Sequence, residues 1–226
     1  DQRREGRCGS LHCFDVSPRV KIVEVSSQAY DAPDIYRRLC AVIDHGKAGN
    51  YLIDVFRVQG GRVHDYLFHG PVEQGTVRNL ALEESQEGWQ DLDNVKEGTS
   101  NTPWSVEFDM DGSHRFVAHA LPDGLERIMI GDGWGERGRG VRDKIMTGET
   151  VPYVVRQRAG DTAESTFLSL FDVCASSKSF VREVARLAPS QGEGVGIRVV
   201  TDLGTDVIAF CFEGNAATFE TPEGTL

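Results

Sequence analysis

Residues able to do acid–base or anion chemistry crowd into positions 54–69: Asp54, Arg57, Arg62, His64, Asp65, Tyr66 and His69. An imidazole changes charge near neutral pH and readily ligates metals. A guanidinium grips a carboxylate or sulfate through two parallel hydrogen bonds, and a phenol or carboxylate moves protons when its surroundings tune it. A second set, Trp134, Arg137, Arg139, Arg142 and Lys144, lies in the glycine-rich run GDGWGERGRGVRDKIMTG. There the basic groups could reach an anionic ligand and the indole could stack on a sugar ring. The plainer reading of that run is a mobile loop with solvated charges and a Trp folded back onto its own sheet.

What the first set can do depends on the elements that hold it. Residues 51–59 and 62–69 flank Gly60-Gly61, a pair suited to the positive φ angles of a two-residue turn, and so predict a β-hairpin. That register sets Arg57 opposite His64, Val55 opposite Tyr66 and Ile53 opposite Phe68 on one face. On the other it sets Val58 opposite Val63, Phe56 opposite Asp65, Asp54 opposite Leu67 and Leu52 opposite His69. Both faces are largely apolar, as in a strand pair covered on two sides. His64 and His69 are five positions apart, so on a regular strand their rings point to opposite faces. They share a metal only if a bulge intervenes, and no metal site is expected. Asp54 and His69 lie diagonally on one face. With Asp65 they form an expected structural cluster, Asp54, Asp65 and His69, that needs internal hydrogen bonds to be tolerated. His69 is accordingly read as a core histidine holding the hairpin. For His64, beside Arg57, Arg62 and Tyr66, a core role and a ligand-contact role both stand.

Gly (25 residues), Pro and Asp punctuate the rest of the chain into short segments rich in Val, Ile, Phe, Tyr and Arg. Strands are expected near 11–15, 20–26, 35–43, 51–58, 63–69, 105–110, 116–120, 127–130, 153–158, 166–175, 181–187, 197–201 and 207–212. Phe180, Val184 and Leu187 also share a helical face, so the segment 180–187 fits a short helix as an alternative to a strand. Residues 83–101 carry six acids against one Lys and read as a solvated surface excursion. Asp109-x-Asp111-Gly112 is read as a hairpin turn, since it lacks the further oxygen ligands of a calcium loop. Many short strands without alternating helices predict an all-β fold: one large antiparallel β-sandwich of two packed sheets, with little helix, spanning 1–226.

The formal net charge of -11 disfavours nucleic acid and anionic membranes as partners, and no apolar run is long enough to span a bilayer as a helix. Any contact with a polyanion must then come from a local basic patch. Five cysteines without CxxC spacing exclude a zinc ribbon and cannot all pair. They read as buried free thiols, with a single bridge such as Cys8 to Cys13 left open. GxSxG, HExxH, P-loop and dinucleotide fingerprints are absent. The chain starts at Asp1 without an initiator Met or an apolar leader, which reads as a piece of something longer.

Three segments carry a resemblance. Tyr36-Arg37-Arg38, then Tyr51 to Val58 (YLIDVFRV), then Gly60 to Gly70 (GGRVHDYLFHG) resemble the heparinase II/III-like polysaccharide lyases. In that family an arginine-rich strand precedes such a motif in the carboxy-terminal sheet domain. The opening Asp1 to Gly6, Gly133-Trp134-Gly135 and Val151 to Val155 also resemble family stretches, and the motif at 51–70 is the specific one. The resemblance implies a parent with an amino-terminal helical toroid, absent from these 226 residues, that performs β-elimination on a uronate-containing glycan. A base removes the proton α to the carboxylate, that charge is neutralised, and an acid assists the leaving oxygen. It also implies an acidic polysaccharide substrate, the helical domain as a partner, and a periplasmic or secreted location. No His-rich segment here matches the family's catalytic one, so no catalytic residue is carried over and the chain alone is expected to be inactive. No cofactor is expected in it, whereas the parent could hold a divalent metal such as zinc. Arg62, His64, Tyr66, Trp134, Arg137 and Arg139 are the candidate substrate contacts. The rival reading is a carbohydrate-binding or structural β-sandwich module without chemistry.

Overall fold

The computed structural model describes residues 8–28, 30–31, 33–71, 75–110, 112–134, 150–160, 164–175 and 179–226. A large sheet runs β1 (Gly9–Val16), β2 (Val20–Ser27), β3 (Ile35–Asp44), β4 (Asn50–Gln59), β13 (Glu164–Ala175), β10 (His114–Ala120), β9 (Trp104–Asp109), β6 (Thr76–Arg78) in spatial order. A second runs β5 (Val63–His69), β12 (Thr150–Ala159), β11 (Glu126–Trp134), β8 (Asp93–Ser100), β7 (Glu83–Glu84). A third holds β14 (Val181–Leu187), β15 (Gly194–Thr201) and β16 (Gly204–Cys211), and β17 (Glu220–Thr221) with β18 (Gly224–Thr225) forms a ribbon. Among the described residues the sole helix is the single turn Gly46–Ala48.

Why β4 and β13 are apolar almost throughout follows from the layering. One face of the large sheet presents Ile53, Val55, Leu168 and Leu170 to Val195, Ile197 and Val199 of the small third sheet. The opposite face presents Phe56, Val58 and Phe167 to Tyr66, and Val106, Phe108 and Ala118 to Ile128 and Val154. The middle strands are therefore covered on both sides, and the period-2 alternation of a half-exposed strand is lost. The sandwich is all-β as expected, with the third sheet as an added layer on its outer face.

The interior also holds charge. Arg156 and Glu126 are both fully buried between the two larger sheets. The Arg156 guanidinium donates from Nε and Nη2 to the Glu126 carboxylate at 2.7 and 2.8 Å. From Nη1 it donates to the Leu168 carbonyl at 3.0 Å and to Ser169 Oγ at 2.8 Å. Its carbon lies 5.5 Å from the Tyr66 ring centroid and 5.4 Å from that of Phe167, so the cation is bounded by acceptors and ring faces.

Several expectations are corrected. β4 and β5 do not form a hairpin: β4 pairs with β3 and β13, whereas β5 pairs with β12. Gly60 and Gly61 do adopt positive φ, 88° and 87°, but the turn they make carries the chain from one sheet to the other. The segment 83–101 is not a bare excursion. β8 lies within the second sheet, and Val95 packs with Met129 and Val155 beneath Trp89 and Leu92. Of the five thiols, all free, only Cys174 is buried, while Cys8 and Cys211 are exposed. Two other readings hold: residues 181–187 form strand β14 rather than the alternative helix, and a turn joins β9 to β10, where Asp109 Oδ1 accepts the Gly112 amide at 2.6 Å.

Two outcomes follow. Glu126→Ala leaves Arg156 charged and unpaired in the core and is expected to cost about 3–5 kcal/mol, whereas replacing both by Met costs much less; denaturant titration of the three proteins checks it. His119 on β10 has a buried, unpartnered Nε2, and burial drags its pKa down to about 4. The unfolded imidazole takes up its proton near its ordinary value of 6.5, so stability should fall as pH drops from about 6.5 to about 4, by about 2 kcal/mol. His119→Phe should flatten that slope; Asp172, whose pKa burial raises, works in the opposite sense and remains in the variant.

Candidate functional site

The side chains of residues 54–69 divide by face. Along β5, His64, Tyr66 and Phe68 point between the sheets, and Asp65, Leu67 and His69 point outward, with His64 and Tyr66 buried and His69 exposed. The two imidazoles do look in opposite directions, but the core histidine is His64. Its Nε2 donates to the Gly60 carbonyl at 2.7 Å, and its Nδ1 then accepts from Ser165 Oγ at 2.8 Å. Both ring nitrogens are thus spent on fastening the glycine corner to β13. His69 instead contacts its neighbour's carbonyl, Gly70 O, at 3.1 Å and leans on Tyr153, with ring centroids 5.6 Å apart.

The expected cluster of Asp54, Asp65 and His69 is replaced by other pairings. Asp54 is buried on β4 and accepts the Tyr66 hydroxyl at 2.8 Å and Arg38 Nε at 2.9 Å. That phenol, shut from water, has its pKa pushed up by burial and then by the Asp54 charge. Burial, with Asp54 adding to it, also pushes the Cys40 thiol up to about 11. Asp65 accepts from Gln157 Nε2 at 2.8 Å on the outer surface. Sequence reasoning missed Arg38 as the partner because β3 stood outside the expected hairpin; the paired arginines at 37–38 were the available signal.

The same corner carries an open groove of about 730 Å³, whose walls include Tyr30, Tyr36, Arg62, Asp65, Trp89 and Gln90. The Tyr30 and Tyr36 rings meet at a tilt, with centroids 5.3 Å apart and planes inclined by 47°, and Tyr36 meets Phe56 edge-on at 5.0 Å. Arg62 is exposed at the tip, and among the described residues its guanidinium has no ion-pair partner. Aromatic faces for sugar rings beside a free guanidinium for a carboxylate or sulfate are the two features an acidic glycan requires. Of the sequence candidates, Arg62 lies on this groove in the open. His64 borders it from a buried position, Tyr66 is in the core, and the Trp134 side chain, Arg137 and Arg139 fall outside the described residues. Tyr30, Tyr36 and Trp89 were missed, since nothing in the chain's order places 30, 36 and 89 together. Among the described residues no group of three or more His, Cys, Asp or Glu could hold a metal, and no step is derived through one.

These layers define an antiparallel β-sandwich with an open groove at one corner. No family model matches the chain, and no curated protein matches it. Solved structures do. The heparan sulfate lyase HepC from Pedobacter heparinus superposes with a TM-score of 0.60 at 8% identity, over 92% of this chain and 28% of that one. A heparinase III, the BT4657 gene product, gives 0.58 at 11% identity, over 90% of this chain and 28% of that one. The fold is thus that of a heparinase-like carboxy-terminal β domain, and the chain spans under a third of the length of the structures it matches.

Histidine variants separate the two imidazoles. His64→Ala should cost about 1–3 kcal/mol by stranding the Gly60 carbonyl and the Ser165 hydroxyl, while His69→Ala should stay within about 0.5 kcal/mol of the parent. Thermal or urea unfolding of both decides it; equal losses would refute the assignment.

Proposed function

We propose that these 226 residues are the carboxy-terminal sheet portion of a uronate-polysaccharide lyase, forming one wall of the substrate cleft and packing on a helical domain that carries the catalysts. The observation behind the reading is the superposition on heparan sulfate and heparinase III lyases over nine-tenths of the chain. The groove with Arg62 at its tip supports it independently. In β-elimination the proton α to a carboxylate is removed, and a cation near that carboxylate favours the developing charge. This chain's part is binding and orientation: Arg62 holds a uronate carboxylate or a sulfate, and Tyr30, Tyr36 and Trp89 present faces to sugar rings. The proton-transfer groups lie outside this chain. His64 has no free nitrogen, and Tyr66 is sealed in the core as the donor to Asp54. A location in the periplasm or outside the cell belongs to the same reading; among the described residues no helix is long and apolar enough to cross a membrane.

A binding module without chemistry is the second reading, favoured by the groove alone. The two are separated by following the ultraviolet absorbance of unsaturated product on heparan sulfate, heparin and alginate, with the intact protein and with the 226-residue chain. Cleavage by the intact protein alone is expected; cleavage by the 226-residue chain would overturn the placing of the catalysts outside it, and cleavage by neither while both retain glycan would overturn the lyase assignment. In the intact enzyme Arg62→Ala and Trp89→Ala should each raise KM by about 5–10-fold, the value of one charged hydrogen bond or one ring contact, with kcat little changed.

A further inference from the structure

The groove at the glycine corner continues past it. Its walls include Tyr36 of β3, Phe56 of β4 and Leu67 of β5. A second hollow, of about 360 Å³, is lined by the next residues along the same three strands: Arg38 of β3, Asp54 of β4, and Phe68 and His69 of β5. Side chains two apart on a strand share a face, so the two hollows abut. Together they form one trough beside β5 from Val63 to His69. Six strand rises make it about 20 Å long, longer than a disaccharide.

Arg38 stands where the two halves meet. Its guanidinium carbon lies 5.5 Å from the Tyr66 ring centroid. Nε donates to Asp54 Oδ1 at 2.9 Å, and Nη2 donates to Oδ2, which uses one edge of the planar group. Nη1 has no hydrogen-bond partner among the described residues, and the side chain is 45% exposed. The Asp54 carboxylate behind it is buried and also accepts the Tyr66 hydroxyl, so its charge is turned inward and a ligand meets the outward N–H groups. An arginine clamped in this way loses little freedom when it takes an anion.

Arg62 serves the other half of the trough. Tyr66 lies four residues beyond it, which sets the Arg62 backbone and the Arg38 guanidinium about 13 Å apart along β5. The edge between them is free. Gly160 donates to the Arg62 carbonyl and Gly70 to that of Pro152, so even-numbered residues turn their backbone groups toward β12. Val63, Asp65 and Leu67 turn theirs away, and among the described residues those groups have no backbone partner. Sugar hydroxyls, which donate and accept alike, match such an edge. The Asp65 carboxylate in this stretch is engaged with Gln157.

We propose that Arg38 is a second anion anchor, so that the ligand groove runs the length of β5 and selects an acidic oligosaccharide with charged groups too far apart for one disaccharide to carry. Arg62 takes one carboxylate or sulfate and Arg38 Nη1 takes the other. Phe68, Phe116 and Phe171 give the far half of the trough the aromatic walls that Tyr36 and Trp89 give the near half. Two guanidinium groups facing one trough, in a chain of net charge -11, form the local basic patch that a polyanion requires. The inference deepens the glycan-binding reading above and rests on it, though not on cleavage.

Calorimetric titration of the intact protein with heparin and alginate oligosaccharides, from disaccharide to octasaccharide, tests it. The titration gives Kd where the protein only binds and KM where it also cleaves. For the series that binds, the unmutated protein should gain about 10-fold or more from disaccharide to octasaccharide, as both anchors engage. Arg38→Lys keeps its single amine on Asp54. It should weaken the octasaccharide about 10-fold, the worth of one charge-assisted hydrogen bond, and the disaccharide less than about threefold. Arg38→Met combined with Asp54→Asn strands no charge in the core and should lose the same length dependence, which keeps the test decisive should Arg38→Lys unfold. A folded Arg38 variant that binds every length as the unmutated protein does overturns the proposal. So does an equal loss at all lengths, which would reduce Arg38 to a support for β4. Cleavage with a KM indifferent to Arg38 refutes the anchor and keeps the lyase reading, whereas a length-dependent loss without cleavage does the reverse. No binding of either series would overturn the anchor and the glycan reading together.

Discussion

A desolvated guanidinium organises this protein. Arg156 sits at zero exposure, where an unpaired charge is intolerable, so everything around it has to supply an acceptor or a ring. Glu126 comes from the neighbouring strand β11, while the Leu168 carbonyl and the Ser169 hydroxyl come from β13 across the interlayer space. Satisfying one side chain therefore fixes the separation and stagger of two sheets. Apolar packing alone tolerates sliding, because dispersion is non-directional; the two directed hydrogen bonds from Arg156 to β13 do not.

The second interlayer tie works in the same way from β5. Tyr66 reaches across to Asp54, and Asp54 in turn holds Arg38 on the next strand. The chain of contacts runs from the second sheet through β4 to the surface, ending on an arginine that is half exposed at 45%. His64 adds a third tie at the corner. The groove at that corner is thus framed on one side by groups with little freedom, as the proposed binding role would require.

Most strands were legible because β-branched and aromatic runs between glycines are a local signal. β8 was not: DNVKEGTS has one apolar anchor, Val95, and relies on cross-strand partners such as Arg127, which holds the Glu97 carboxyl below the usual carboxylate range. The turn at Gly60-Gly61 was read correctly as to its φ angles and wrongly as to its partner strands. Local sequence specifies a reversal, but whether the outgoing strand lies beside the incoming one or over it depends on what else competes for the edge. Here β3 and β13 occupy both edges of β4. That substitution of neighbours also moved the core role from His69 to His64, since the faces of β5 are set by β12 and the layer beneath. The family resemblance survived the error because it rested on residue identities, while the geometry drawn from them rested on an assumed pairing. The groove residues Tyr30, Tyr36 and Trp89 were out of reach for a related reason: they converge only through the layering.

The pairing of β4 with β13 joins residues 50–59 to residues 164–175, more than a hundred positions later in the chain. At a synthesis rate of roughly 5–20 residues per second, the inner edge of β4 waits on the order of 5–20 s on the ribosome before its mate exists. For that interval the future centre of the molecule is an unfilled slot bordered by Ile53, Val55 and Phe56. The middle layer closes late, and the nascent chain depends on whatever shields that slot in the meantime.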